Sequence, residues 1–158
     1  MSEPLHLLTV EQLRAELTAA EIDAIPGSVL GTDDAPHEEV QSWLAGMLQQ
    51  ACDSVVDAIN TCPKNAKIRT GLCKVPAGCK RTALVLARHA VISAIPGLSE
   101  TLEGSSRAAE YSTATAALQR LASCDLLPEY TLGEEDSSRG NGSGITLVLG
   151  GATNDYMF

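Results

Sequence analysis

The stretch between residues 75 and 97 most constrains the fold of this chain. Pro76 stands near its start, where a helix tolerates proline, and Pro96-Gly97 stands at its end, where a helix cannot continue. The residues between them are apolar around most of the helix circumference, which is typical of a helix with other helices packed around it. Three basic residues and a histidine interrupt the run, so it is not a membrane span. We therefore expect a central buried helix from Pro76 to Ile95.

The rest of the chain also favours helix packing. A length of 158 residues indicates one domain with one modest core, and aromatic residues make up only 3% of the composition. Such a core is built from leucine, isoleucine, valine and alanine, which suits helices better than a β-sandwich. The predicted fold class is mainly α, a small helical bundle around the central helix.

Capping signals and apolar periodicity place the other helices. Thr9 with Gln12, and Thr18 with Glu21, have the capping-box spacing and predict two short helices, the second ending at Pro26-Gly27. A long helix is predicted from about residue 36 to residue 60. Its one apolar stripe consists of Val40, Trp43, Leu44, Met47, Leu48, Ala51, Val55 and Ile59. A last helix is expected from Ser106 to about residue 127. Its packing face is predicted to consist of small and apolar residues: Ala109, Thr113, Ala116, Ala117, Leu118, Leu121 and Ala122.

Charge is distributed unevenly along the chain. Residues 1–60 hold eleven acidic residues and one basic residue, whereas residues 61–100 hold seven basic residues and one acidic residue. Two interpretations stay open: a solvated surface with chance clustering, or a basic loop that faces an acidic partner or a phosphate backbone. The candidate basic residues that face a partner or DNA are Lys64, Lys67, Arg69, Lys74, Lys80 and Arg81.

The carboxyl-terminal part changes in composition. We expect a helical domain over residues 1–132 and a flexible linker with an arm over residues 133–158. The segment from Ile145 to Leu149 predicts a β-strand, which commonly adds to the sheet edge of another protein or of a second copy. A disordered tail is the alternative. The candidate arm residues are Ile145, Thr146, Leu147, Val148, Leu149, Tyr156 and Phe158.

The cysteines and the amino terminus bear on the compartment and on catalysis. Five cysteines without framework spacing, together with an amino terminus that lacks a signal-peptide pattern, predict reduced thiols in a cytoplasmic protein. Cys62, Cys73 and Cys79 match no zinc spacing, and no metal or cofactor is expected. Cys79 beside Lys80 and Arg81 is the one candidate nucleophile, but a cysteine there is more often inert packing.

Five segments occur along the chain in a recognisable order. They are Leu8-Thr9-Val10-Glu11-Gln12-Leu13, Ala51-Cys52-Asp53-Ser54-Val55-Val56-Asp57-Ala58, Val75-Pro76 before a helix with Lys80-Arg81, Glu110-Tyr111-Ser112-Thr113-Ala114, and Leu118-Gln119-Arg120-Leu121-Ala122. This order of parts resembles that of the Mu-like phage head–tail connector (adaptor) proteins. The resemblance covers roughly residues 8–127 and rests mostly on helix-forming segments.

This resemblance implies a non-enzymatic virion protein. It implies a twelve-fold ring of identical subunits beneath the portal protein, which extends the DNA channel and receives the tail-side or head-closure protein. Packaged DNA is then a non-specific neighbour, and no membrane is involved. Two rival interpretations remain: a small helical enzyme or redox protein that uses Cys79 with Arg81 and His89, and a helical protein that contacts nucleic-acid phosphates through Lys64, Lys67, Arg69 and Lys74.

Overall fold

The computed structural model describes residues 3–98 and 106–137. Over these residues the chain is mainly α-helical, as the sequence predicts, with one two-stranded antiparallel sheet. In chain order the elements are β1 (His6–Leu7), α1 (Val10–Arg14), α2 (Ala19–Ser28), α3 (His37–Thr61), β2 (Lys74–Val75), α4 (Lys80–Ser93) and α5 (Ser106–Ala122). Short 3₁₀ turns at Ala77–Cys79 and Glu134–Asp136 complete it.

Both predicted capping boxes are present. The Thr9 hydroxyl accepts from the Gln12 backbone N–H while the Gln12 side chain accepts from the Thr9 N–H, and Thr18 and Glu21 repeat this exchange. The predicted end of α2 at Pro26-Gly27 is wrong, because the helix runs on to Ser28. Proline is tolerated there because its missing N–H removes only one helical hydrogen bond. The next turn is still hydrogen-bonded, since the Val29 N–H donates to Ile25 O at 2.9 Å.

The predicted stripe of α3 forms the core of the bundle. Its buried members recur at three- and four-residue steps, and Trp43 and Met47 lie half-buried at the margin. Cys52 and Val56 are buried as well, so the inward face is wider than the stripe predicted from the sequence. The helix packs on α1, α4, α5 and β2.

The central helix is present but shorter than predicted. The segment after Pro76 first forms the 3₁₀ turn, and regular α-helix begins only at Lys80 and ends at Ser93. Its buried residues face α1, α3 and α5. They include Arg88, the one charged residue within this buried set: Ala83, Leu84, Val85, Ala87, Arg88, Val91 and Ile92.

The packing face of α5 agrees with the predicted one only in part. Leu118 and Leu121 pack on the core as predicted, but Ala109, Thr113 and Ala116 are exposed and Ala114 is buried instead. Tyr111, which was not predicted on this face, stacks on His89 of α4. Sequence alone did not distinguish the two faces because alanine and threonine are spread around the whole helix.

The prediction of reduced thiols is wrong for two of the five cysteines. Cys62, which follows α3, forms a disulfide with Cys124, which follows α5. Cys124 has a positive φ of 67°, a conformation that normally favours glycine at a helix end. The turn ends α5 well before the predicted end near residue 127, with the Asp125 and Leu126 N–H groups both donating to Arg120 O.

The carboxyl-terminal segment packs on the bundle beyond the predicted boundary at residue 132. Thr131 forms a parallel bridge with Pro4, and Ser137 forms an antiparallel bridge with Ile68. The folded domain therefore continues to Ser137, and residues 133–137 are part of it. The predicted strand at residues 145–149 lies outside the described residues. Within the described ranges, no helix has the length and apolar character needed to cross a membrane.

Candidate functional site

The basic loop, residues 62–74, is anchored to the end of α3 by the side chain of Asn60. The Asn60 side chain donates to Ile68 O at 2.8 Å and accepts from the Ile68 N–H at 2.8 Å, so it completes both backbone groups of one residue. Asn65 adds a bond of 2.9 Å to Ile59 O, a carbonyl near the end of the helix. Each such bond contributes about 1 kcal/mol to folding. The loop therefore has a defined path despite its irregular backbone.

Two of the predicted basic residues bind the carboxyl-terminal 3₁₀ turn of the same chain. Lys74 Nζ lies 2.9 Å from an Asp136 carboxylate oxygen and 3.4 Å from a Glu135 carboxylate oxygen. Hydrogen bonding to Asp136 is the main cause that raises the pKa of Lys74 above its usual value. Arg69 donates its backbone N–H to Asp136 O at 2.7 Å and its guanidinium to Glu135 O at 3.1 Å. Lys74 is therefore paired with carboxylates of its own chain, and Arg69 with backbone carbonyl groups of the same turn.

Arg81 belongs to a second cluster of charged side chains, which shares no residue with the ion pairs of Lys74. Arg81 and Arg88, two turns apart on α4, both bridge Glu16 and Glu110. The N–O distances run from 2.6 Å for Arg88 to Glu110 up to 3.4 Å for Arg88 to Glu16. Hydrogen bonds from Arg88 first, and then from Arg81, hold the pKa of Glu110 below its ordinary value. The cluster joins the loop after α1, α4 and α5.

A separate ion pair fixes α2 to α5. Arg107 donates both guanidinium nitrogens to Glu21, the capping-box carboxylate of α2. Burial alone raises the pKa of Glu21, but hydrogen bonds from Arg107 and Thr18 outweigh it, so the net pKa is lowered. None of these ion-pair residues, Arg88, Glu110, Glu21 and Arg107, is among the site residues predicted from the sequence. The available signal was that basic residues of a buried helix need carboxylate partners.

The remaining predicted basic residues have fewer contacts. Lys67 Nζ donates to Asn60 O at 2.7 Å and lies exposed beside Lys64. Among the described residues, Lys64 and Lys80 form no ion pair. Lys64 lines a small open cleft with Glu129 and Tyr130, and the Tyr130 hydroxyl donates to Ala66 O. Five of the six basic residues thus fall into three places: Arg69 and Lys74 at the 3₁₀ turn, Arg81 in the arginine cluster, and Lys64 and Lys67 at the exposed loop tip. Lys80, the first residue of α4, belongs to none of these places.

An open groove of about 280 Å³ lies between α3, α4 and α5. His89 and Tyr111 stack within it, with ring centroids 3.5 Å apart and planes inclined by 10°. Burial, helped by the positive charge of Arg88, lowers the pKa of His89, which favours the neutral imidazole at pH 7. Its Nδ1 is 3.5 Å from Ser93 Oγ, at the outer limit of a hydrogen bond.

Cys79 is a buried thiol. Its side chain is 3% exposed, and burial raises the pKa of Cys79 to about 11. Thiolate chemistry at neutral pH requires the opposite shift. Arg81 and His89, the two residues that the redox interpretation joins to Cys79, are held instead by carboxylates and by Tyr111 respectively.

The described part of the chain contains no group of three or more histidine, cysteine or acidic side chains arranged to hold a metal ion. The predicted arm residues, Ile145 to Leu149 with Tyr156 and Phe158, lie outside the described residues. No family model, curated protein or solved structure matches the chain.

Proposed function

We propose that this protein is a non-enzymatic structural component of a tailed-phage virion. In this proposal it is a head–tail connector, or adaptor, whose copies form a ring between the portal protein and the tail-side or head-closure protein. Packaged DNA passes through the ring and is contacted without sequence specificity. The functional surfaces are the exposed basic loop tip and the carboxyl-terminal arm.

The observation that carries the proposal is the arrangement of the segments that resemble connector proteins. These segments form α1, α3, α4 and α5, with Pro76 placed immediately before the turn into α4. They pack as one bundle, in which ion pairs fix α4 and α5 to the N-terminal residues. A rigid bundle of this kind suits a subunit whose task is to hold other proteins in register.

The point where the chain leaves the described fold also supports the proposal. Ser137 lies beside Ile68, at the basic loop, and residues 138–158 follow it. Fully extended, these residues could reach about 70 Å, which is enough to span a neighbouring subunit of this size. In a ring, contacts repeat head to tail. If each arm binds the next copy, every arm in the closed ring therefore has a partner.

The rival interpretations receive less support from the geometry. A redox or thiol enzyme needs a low-pKa cysteine, whereas Cys79 is buried with a raised pKa. A nucleic-acid binder needs cations available to phosphates, whereas Arg69, Lys74 and Arg81 are engaged by carboxylates or carbonyls of the same chain. The Cys62–Cys124 disulfide is compatible with a virion, since disulfides persist on particles outside the cell.

Binding to the portal protein of the same particle tests the proposal. The full chain should co-sediment with portal rings and add a layer beneath them in electron micrographs. A chain that ends after Ser137 isolates the role of the arm, because it retains Asp136 and the contacts of the basic loop. We expect this shortened chain to keep its helical circular dichroism spectrum and lose ring assembly. A full-length chain with no affinity for portal rings would contradict the proposal.

A further inference from the structure

A segment of the basic loop runs antiparallel along α3. Asn60 binds Ile68, and the Asp53 carboxylate accepts from the Gly71 N–H at 2.8 Å. Residues 53 and 60 are about 10 Å apart along a helix axis, and three extended residues cover about the same distance. The distance between Asn60 and Asp53 on the helix therefore matches the distance between Ile68 and Gly71 in the loop. The loop residues that follow Gly71 continue toward the preceding turn of α3.

This path brings a second pair of cysteines together. The thiols of Cys73 and Cys52 lie close enough for each to influence the pKa of the other, Cys52 being fully buried in α3 and Cys73 half-buried. The Leu8 N–H donates to Cys73 O at 2.9 Å, so the backbone of Cys73 is also bonded to the residue that follows β1. Both thiols are free in this structure.

The backbone at Cys73 has the same unusual feature as the backbone at Cys124. Among the described residues, Cys73 and Cys124 are the two non-glycine residues with positive φ, at 55° and 67°. A left-handed conformation costs a non-glycine residue about 1 kcal/mol, so each position needs a compensating interaction. At Cys124 that interaction is the disulfide to Cys62, at the end of α3. At Cys73 the corresponding partner is Cys52, in the middle of α3.

We propose that Cys52 and Cys73 are a second disulfide site, held as a dithiol and closed by a small-molecule disulfide such as oxidised glutathione. Cys73, the more exposed thiol, loses its proton and attacks one sulfur of the oxidant, which forms a mixed disulfide and releases one glutathione thiolate. Cys52 then loses its proton and attacks the Cys73 sulfur, which releases the second thiolate. Two protein thiols are oxidised, one disulfide is reduced, and the two protons pass to the released thiolates.

The closed form would attach the sheet to the bundle covalently. Cys73 immediately precedes β2, which pairs with β1 through His6 opposite Val75 and Leu7 opposite Lys74. With Cys62–Cys124, α3 would then carry two covalent links, one to β2 and one to the end of α5. This inference does not depend on the connector proposal, because it concerns only contacts within one chain.

Equilibration of the full chain with oxidised glutathione, followed by alkylation in denaturant and peptide mass mapping, tests the site. Before oxidation we expect three alkylated cysteines, Cys52, Cys73 and Cys79. After oxidation we expect Cys79 alone, with the intact protein lighter by two hydrogen atoms. Burial raises the pKa of both Cys52 and Cys73, so closure should be slow at pH 7 and about tenfold faster for each pH unit up to pH 9.

Matched variants separate the site from general thiol oxidation. Cys79→Ser should close normally. Cys52→Ala, which places no polar group in the core, should stop at a stable glutathione adduct on Cys73, while Cys73→Ser should form neither product. Three alkylated cysteines after oxidation of the unmodified chain, or a persistent glutathione adduct on it, would overturn the proposal. So would a disulfide that links Cys79 to either residue.

Discussion

Lys74 and Asp136 stand 62 residues apart in the sequence and are joined by an ion pair of 2.9 Å. Asp136 is 4% exposed, and its second carboxylate oxygen accepts from the Gly133 N–H at 3.0 Å. The basic loop is therefore paired with the acidic carboxyl-terminal segment of the same chain. Ser137, the last described residue, follows directly and lies beside Ile68 of the basic loop.

Asp136→Asn should loosen the carboxyl-terminal segment. The substitution removes the negative charge that faces Lys74 while keeping the shape of the side chain, so Lys74 loses its closest anionic partner. We expect a lower thermal midpoint and faster proteolytic cleavage after Thr131. Glu134→Gln is the matched control, because Glu134 is exposed in the same turn and forms no ion pair with a described residue. Equal cleavage rates for the two variants would show that the pair is not what holds the segment.

Arg88 and Arg81 should differ in their effect on stability although they share both carboxylate partners. The Arg88 side chain is 7% exposed and the Arg81 side chain is 55% exposed. Arg88→Met leaves Glu110 and Glu16 poorly compensated at the bundle surface, and we expect a loss of about 2 kcal/mol in the free energy of unfolding. Arg81→Met should cost less than about 1 kcal/mol. Urea denaturation of both variants measures the difference, and equal losses would contradict this prediction.

Stability should fall in mild acid. The folded pKa values of Glu21 and Glu110 lie below the ordinary glutamate value of 4.5. The unfolded chain therefore binds protons first, so the contribution of these groups is complete above pH 4.5 and is lost as the pH falls through their lower folded pKa values. Thermal midpoints measured from pH 7 to pH 3 should show this decline. The double variant Glu21→Gln with Glu110→Gln should be less stable at pH 7 and should show a flatter decline.

Reduction of the Cys62–Cys124 disulfide should destabilise the chain without unfolding the helices at 25 °C. The bond closes a loop of 62 residues, for which chain entropy predicts a loss of up to about 4 kcal/mol. Thermal melts with and without a reducing agent measure it, and we expect the midpoint to fall by about 10 °C. An unchanged midpoint would mean that the cross-link does not restrict the unfolded chain.

The left-handed backbone at Cys124 allows a further test of the turn at the end of α5, in variants that lack the disulfide. Of two variants without the disulfide, Cys62→Ala with Cys124→Gly should be more stable than Cys62→Ala with Cys124→Ala. The expected difference is about 1 kcal/mol, since glycine adopts a φ of 67° without the steric cost that alanine bears. A more stable alanine variant would indicate that the turn relaxes once the disulfide is removed.

Local signals in the sequence predicted most of the helices. The capping boxes at Thr9 and Thr18 and the apolar stripe of α3 depend on residues within a few turns of each other, so their patterns are visible in the sequence. The α5 face was predicted correctly at Leu118 and Leu121 but not at its small residues, because alanine and threonine suit either side of the helix. The end of α2 was mistaken because a proline in the last turn removes only one bond.

The contacts that organise the candidate site are long-range, which is why the sequence did not reveal them. Arg88 lies 72 residues from Glu16, Lys74 lies 62 residues from Asp136, and Cys62 lies 62 residues from Cys124. The charge blocks predicted that the basic loop meets an acidic partner, but they did not predict that this partner belongs to the same chain. Five cysteines likewise allow several pairings, and only the fold brings particular sulfurs together.

The mass of the assembled protein tests the central claim most directly. Sedimentation equilibrium of the full chain with its disulfide intact, at increasing concentration and in the presence of portal rings, measures the number of copies. A twelve-fold ring of 16.5 kDa chains has a mass of about 200 kDa. We predict a closed assembly near that mass for the chain alone, or an added mass of that size on portal rings, and neither for the chain ending after Ser137. A full-length protein that stays at 16.5 kDa under all of these conditions would contradict the account.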